Sequence, residues 1–220
     1  MNVQEQHGFV GDPLELKWNK KDLESLKAVL SLVPNKRVAV QAGGCLGVFA
    51  KHLASCFEHV YTFEPSPSMF STLVWNVPEE NVIKFQAALG SRHEMVDPVC
   101  KLRGNDGKTV LHCGMTHLVP NQGYVPTIRL DDLALPACDL IYLDVEGYEL
   151  FALQGARETI TKYKPVIACE INRGIEYFGI SGDDLRTHIR LLGYRFHDRH
   201  RSDEVWVHES AVSHKHPFFG

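Results

Sequence analysis

No apolar run in this chain of 220 residues approaches the roughly 20 residues that cross a bilayer, and its first residues lack the apolar core of a secretion signal. No two cysteines stand in C-x-x-C spacing, and the six at positions 45, 56, 100, 113, 138 and 169 form no regular framework. That excludes the common zinc and disulfide scaffolds. Cys56, Cys138 and Cys169 lie among apolar neighbours, where a thiol behaves as a small buried hydrophobe. A reducing compartment, by default the cytoplasm, is expected, with no membrane partner. Positive charge is also scarce. Lys and Arg number 23 against 27 Asp and Glu, a formal charge of −4, which argues against a broad basic surface for nucleic acid. Only the twelve histidines and the stretch 195–201 could supply a local basic patch. What remains is 44% hydrophobic and 23% charged, the balance of one soluble globular domain.

The most informative stretch is Asp139–Ala156. Leu140–Leu143 is a nearly continuous apolar run, the pattern of a parallel strand covered on both faces. It ends on three acids, Asp144, Glu146 and Glu149, around the turn residue Gly147. Leu150, Leu153, Ala156 and Ile160 then follow at helical spacing. Ligands of open α/β sheets bind at the carboxyl ends of strands, so acids placed there point to a site. Glu146 and Glu149 could instead merely favour the positive end of the helix that follows.

The rest of the chain alternates in the same way. Asn19 is a helix cap ahead of the stripe Leu23, Leu26, Leu30 and Val33. Residues 37–41 form a strand, 42–47 a small-residue turn with Gly43, Gly44 and Gly47, and 48–57 a helix. Glycines there let the backbone approach a ligand. The turn is close to G-x-G-x-x-G, with Ala42 in the first glycine position, so a dinucleotide site is one candidate. The next strand, 59–64, ends in Glu64, seventeen residues after Gly47. A carboxylate at that point can accept from both hydroxyls of an adenosine ribose, in nicotinamide and adenosylmethionine enzymes alike. A helix follows from Pro65 to Asn76, then a strand over 81–85 and a turn over 86–90, where Gln86 and Ala87 leave room for an adenine edge. Residues 91–128 break the alternation as a β-hairpin insertion over the carboxyl edge. Its loop 112–123 is a candidate lid carrying the possible proton acceptors His112 and His117. A fifth strand, 165–171, ends in Glu170 and Asn172. The loop 173–181 offers Tyr177 and Phe178 as an aromatic wall, and Ser181 with Asp184 caps a helix. Two strands, 194–197 and 204–207, close the sheet as an antiparallel pair.

Five β/α units and a closing hairpin describe the class I S-adenosylmethionine-dependent methyltransferase fold, a Rossmann-like α/β sheet with helices on both faces. Within that class the sequence resembles the FkbM-type methyltransferases. The resemblance rests on Asp144-Val145-Glu146-Gly147-Tyr148-Glu149-Leu150 with Leu153-Gln154-Gly155-Ala156, and on Phe63-Glu64-Pro65-Ser66-Pro67. Ala87-Ala88-Leu89-Gly90, Leu130-Asp131-Asp132-Leu133 and Lys164-Pro165 with Glu170 add to it. Three positions depart from the family pattern. Gln41 and Cys45 replace the acid and the asparagine of the first motif, and Tyr142 replaces a lysine two residues before the central aspartate. Gln41 can still accept from the methionine amino group, without the strength that charge would add.

The resemblance implies methyl transfer from S-adenosylmethionine to a hydroxyl of a small molecule, sugar or glycan. Expected domain bounds are 1–35 for a covering segment, 36–210 for the methyltransferase domain with the insertion 91–128, and 211–220 for a tail. The cofactor residues expected are Gln41, Gly43, Gly44, Gly47, Glu64, Gln86, Ala87 and Asp144. Asp144, Glu146, His112 and His117 are the catalytic candidates. Asp144, Glu170 and Asn172 could hold Mg²⁺, since oxygen ligands suit a hard cation. The same acids could instead hold the hydroxyl directly or bond backbone amides. A nucleic-acid 2′-O-methyltransferase, a nicotinamide oxidoreductase and a non-catalytic cofactor-binding module are the rival readings. Tyr142 and the charge of −4 oppose the first, and the block 144–156 does not suggest the second.

Overall fold

The computed structural model describes residues 19–102, 111–120 and 123–211, with backbone alone for 19–22, 100–102 and 111–117. Helix α1 (Asn19–Ser31) buries Leu26 and Val29 against the sheet. Then follow β1 (Val38–Ala42), α2 (Val48–Ala54), β2 (His59–Phe63), α3 (Pro67–Asn76) and β3 (Val82–Phe85). Four short strands come next: β4 (Ala88–Leu89), β5 (Met95–Leu102), β6 (Leu111–Pro120) and β7 (Val125–Ile128). The chain returns through β8 (Leu140–Leu143), α4 (Glu149–Gln154), α5 (Arg157–Tyr163), β9 (Val166–Glu170) and α6 (Gly182–Leu191). It closes with β10 (Tyr194–His200) and β11 (Asp203–His208).

The main sheet has the order β10-β11-β9-β8-β1-β2-β3. Its first five pairing partners in sequence, β1, β2, β3, β8 and β9, run parallel, and the closing hairpin runs antiparallel to β9. The apolar runs explain this. Along β8, Ile141 and Leu143 enter one core cluster while Leu140 and Tyr142 enter the other, the two-residue period of a strand covered on both faces. Strand β1 divides the same way, Val38, Val40 and Ala42 against Ala39. The strand order reverses between β1 and β8, so the crevice at the carboxyl ends of those two strands is where a ligand fits.

The second sheet, β4-β7-β5-β6, sits over that edge through a cluster of Ala88, Val96, Leu118, Val125 and Tyr148. Two local expectations change here. Residues 86–90 are not only a turn, because Ala88–Leu89 pairs with β7. Residues 112–120 are strand rather than lid loop, because β6 pairs with β5 over most of its length. The helix after β8 is also broken. A Cβ on Gly155 would lie 1.9 Å from the Gly90 carbonyl oxygen, so the chain crosses the second sheet there with no room for a side chain. The N-terminus of α5 restarts on Asp131, whose carboxylate accepts from Thr159 N–H (2.8 Å) and Glu158 N–H (3.1 Å). Gly155→Ala should therefore destabilise the protein by about 1–3 kcal/mol, the usual cost of overpacking. A thermal melt matching the wild type would refute that crossing.

The closing hairpin is tied down by charge. Glu204 is buried and accepts from Arg186 at 2.8 Å and from Arg199, which holds β11 to α6. Helix α6 itself starts on a capping box between Ser181 and Asp184.

Candidate active site

A cavity of about 320 Å³ opens at the carboxyl ends of β1, β2, β8 and β9, at the small end of the range for small-molecule sites. Its first wall is the turn after β1. Gly43 has φ 88°, and a Cβ on it would lie 1.8 Å from the Asp144 carbonyl oxygen, so only glycine lets this turn touch the end of β8. Gly43 N–H and Gly44 N–H both donate to Phe63 O, at 3.0 and 2.9 Å, which fixes the turn to the end of β2. Gly43 and Gly44 line the cavity; Gly47 does not, and serves the backbone instead, at φ 91° with Val77 behind it. Cys45 carries φ 46°, a left-handed conformation that asparagine tolerates better than cysteine.

Glu64 stands next to this turn, buried and lining the cavity. One carboxylate oxygen accepts from Cys45 N–H (2.7 Å) and the other from Ser66 N–H (2.8 Å). Two backbone donors thus fix the carboxylate while each oxygen keeps capacity for a ligand hydroxyl.

Three expected cofactor contacts are placed elsewhere. Gln41 is fully buried outside the cavity lining, accepting from Thr62 Oγ1 and donating to Gly43 O at 2.8 Å, so its amide braces the turn. That places the amide in the core beneath the turn rather than on the cavity wall. Gln86 is exposed and Ala87 is buried outside the cavity; the neighbouring Ala88 and Leu89, the two residues of β4, line it. The aromatic wall also moves. Tyr177 is exposed and Phe178 packs on Tyr148 and Phe151, whereas Phe49, Phe63, Tyr142 and Tyr148 line the cavity.

The far wall is acidic. Asp144, Glu146 and Glu170 bring carboxylate oxygens within 4.8 Å of one another. Asp203 joins them from β11, accepting from the Tyr142 hydroxyl at 2.6 Å. Arg201, at the hairpin tip beside it, is the one basic residue of the lining among the described residues. Asn172 is not placed as a metal ligand. Its Oδ1 accepts from Gly174 N–H (2.7 Å), and its NH₂ donates to Glu170 (2.6 Å) and Glu146 (3.2 Å). Glu146 takes its place as third carboxylate. His112 and His117 belong to β6 by their backbone, and their side chains lie outside the described residues.

Crowding of like charges sets the protonation. Burial, then Glu170, Glu146, Asp203 and Glu149, push the Asp144 carboxyl well above the ordinary carboxylate range. Burial and Glu170 push Glu146 up to about 7, with Asn172 opposing. Glu149 does not line the cavity; burial pushes it up to about 7 against the bonds it accepts from Gly147 and Val145 N–H. In the unfolded chain both glutamates titrate near 4.5. The folded state then binds more protons between the two values, so the cofactor-free protein should lose stability as pH rises from about 4.5 to about 7. Glu149→Gln should remove part of that slope in denaturant melts at a series of pH values. A slope equal to the wild type would contradict the burial argument.

Asp203, Phe49 and Leu118 went unnoticed in the sequence, while Tyr142 stood out only as the replacement of a lysine and Arg201 only as part of the basic stretch 195–201. Asp203 was within reach: an antiparallel strand entering beside β9 starts at the edge where Glu170 ends, and the two are register partners.

Strand order, glycine turn and acid at the end of β2 together define a class I methyltransferase fold with its site at the sheet's carboxyl edge. The chain belongs to the FkbM methyltransferase family: residues 38–196 match the methyltransferase FkbM domain. No protein with a curated description matches it. Among solved structures, it is similar to methyltransferase FkbM from Methylobacillus flagellatus KT, with 21% identity and a TM-score of 0.49 over 79% of this chain. The chain spans 44% of that protein's length. It is also similar to the N-methyltransferase NodS from Bradyrhizobium japonicum WM9, solved with S-adenosyl-L-homocysteine (12% identity, TM-score 0.49, 92% of this chain and 93% of that one). Magnesium protoporphyrin IX methyltransferase from Synechocystis PCC 6803, with the same ligand, gives 11% identity and a TM-score of 0.48, over 94% and 93%.

Proposed function

We propose that the protein transfers the methyl group of S-adenosylmethionine to a hydroxyl oxygen of a small-molecule or carbohydrate acceptor. The observation that carries this is a single cavity with the doubly anchored Glu64 on one side and the Asp144, Glu146 and Glu170 carboxylates on the other. Glu64 holds the ribose, Gly43 and Gly44 flank the methionine chain, and Ala88 and Leu89 face the adenine. The acceptor oxygen attacks the methyl carbon in line, the carbon–sulfur bond breaks, and S-adenosylhomocysteine leaves with the sulfur's electron pair. Positioning supplies most of the rate. The hydroxyl proton passes to an ionised carboxylate, Asp144 or Glu146, whose raised affinity for protons suits that task near neutral pH.

An acid-lined cavity with Arg201 as its one basic lining residue among the described residues disfavours a polyanionic acceptor such as nucleic acid. A second reading is supported by the three converging carboxylates, whose hard oxygens fit Mg²⁺. Asp144, Glu146 and Glu170 would hold the ion, which would lower the acceptor hydroxyl's pKa. Calorimetry with S-adenosylmethionine, then release of S-adenosylhomocysteine over a panel of polyols, sugars and phenols with and without chelator, tests both readings. Tight binding and hydroxyl-dependent release are expected. Failure to bind S-adenosylmethionine would overturn the proposal, and release insensitive to chelation would remove the metal.

A further inference from the structure

Glu146 is held in a conformation its own residue type disfavours. Its φ is 54°, in the left-handed region, where a side chain costs about 1–2 kcal/mol. The next residue, Gly147, has φ 104°, and a Cβ there would lie 2.3 Å from the Gly174 carbonyl carbon. A Cβ on Gly174 would in turn lie 2.6 Å from Glu146 O. The loop after β8 and the turn after β9 are thus wedged together backbone to backbone.

Two polar side chains lock that wedge, and neither faces the reacting atoms. Glu149 is 1% exposed, and its Oε1 accepts from both Val145 N–H (3.1 Å) and Gly147 N–H (3.3 Å), the amides on either side of Glu146. From the other element, Asn172 accepts from Gly174 N–H and donates to the carboxylates of both Glu146 and Glu170. A carboxylate triad packed this closely would otherwise spread apart by mutual repulsion. Holding it costs local strain of the kind found at sites where geometry is part of the chemistry.

We propose that Glu149 and Asn172 are positioning residues, which clamp the loop 145–147 so that Glu146 presents its carboxylate to Asp144 and Glu170. The role of the held carboxylate rests on the methyl-transfer reading; the clamp itself does not. It gives the third acid of the block 144–149 a function distinct from the first two. Asp144 and Glu146 face the cavity, and Glu149 turns back to hold the chain that carries them.

The test compares Glu149→Ala, Glu149→Gln and Asn172→Ala in the full chain. Amide exchange at Val145 and Gly147 reports the clamp without any acceptor. S-adenosylmethionine affinity and S-adenosylhomocysteine release report function. In Glu149→Ala, exchange at those two amides should speed up by about tenfold or more, the equivalent of one lost hydrogen bond. Methyl transfer should drop by about tenfold to a hundredfold, as slight misplacement of a catalytic group does, with cofactor affinity nearly unchanged. Glu149→Gln keeps the accepting oxygen and should restore exchange and turnover. Asn172→Ala should leave Glu149's two amides protected while lowering turnover. A Glu149→Ala protein with wild-type exchange at those two amides would overturn the clamp. So would a folded Gln variant as impaired as the Ala variant. A wild-type protein that binds no S-adenosylmethionine yet shows these exchange shifts would leave the clamp standing and remove only its catalytic purpose.

Discussion

An Asp144→Asn protein is expected to lose methyl transfer by about 10²–10⁴-fold, the contribution of a positioned proton acceptor, and to keep its affinity for S-adenosylmethionine within about threefold, short of the change that losing one hydrogen bond brings. The asparagine keeps size and shape but cannot take a proton. Its backbone should not move, because Asp144 N–H donates to Ala42 O at 3.0 Å and its carbonyl abuts Gly43. The wild type should show a matching pH dependence. A carboxyl pushed upward is ionised only at higher pH, so turnover should rise as pH climbs above the ordinary carboxylate range. At lower pH it should sink toward the Asp144→Asn level, since a protonated Asp144 resembles an asparagine. Measurement is by S-adenosylhomocysteine release across pH with the best acceptor of the panel. Full turnover in Asp144→Asn would remove Asp144 as the proton acceptor, and full turnover in Asp144→Ala would remove it from the direct carboxylate and metal readings alike.

Much of this was legible before any coordinates. The apolar runs 38–42 and 140–143 announce buried parallel strands because both faces of such strands must be covered. The acids Glu64 and Asp144, just beyond β2 and β8, fall at the site because the carboxyl ends of parallel strands all face one edge. Residues whose roles depend on side-chain direction were less legible. Gln41 reads as a ligand contact, yet one step of strand periodicity and the nearby Thr62 hydroxyl turn it into the core. Gln86 and Ala87 miss the cavity by one or two residues, since Ala88 and Leu89 of β4 line it instead. Asn172 reads as an oxygen donor until Gly174 N–H claims that oxygen. A break such as the one at Gly155 leaves no periodic trace, because it answers to a carbonyl sixty-five residues earlier in the chain, that of Gly90.

Glu64 carries the prediction with the sharpest chemical contrast. Glu64→Ala should weaken S-adenosylmethionine binding by about 1.5–3 kcal/mol, the worth of hydrogen bonds to a charged group, or roughly tenfold to a hundredfold in Kd. The isosteric Glu64→Gln would ordinarily be the mild change, but here it should be nearly as damaging. Both oxygens of Glu64 accept from backbone N–H groups, Cys45 at 2.7 Å and Ser66 at 2.8 Å. An amide can offer an oxygen to one of them and must turn its NH₂ toward the other, donor against donor. Burial leaves little water to relieve that clash, so the Gly43–Cys45 turn or the start of α3 has to shift, and the ribose loses one of its two acceptors. Calorimetry on the three proteins decides the matter, with circular dichroism to confirm that each is folded. Unchanged affinity in Glu64→Ala would take Glu64 out of the cofactor site. A Glu64→Gln protein that binds like the wild type would show that two-oxygen acceptance, the feature that singles out a carboxylate at this position, is not what the cofactor uses.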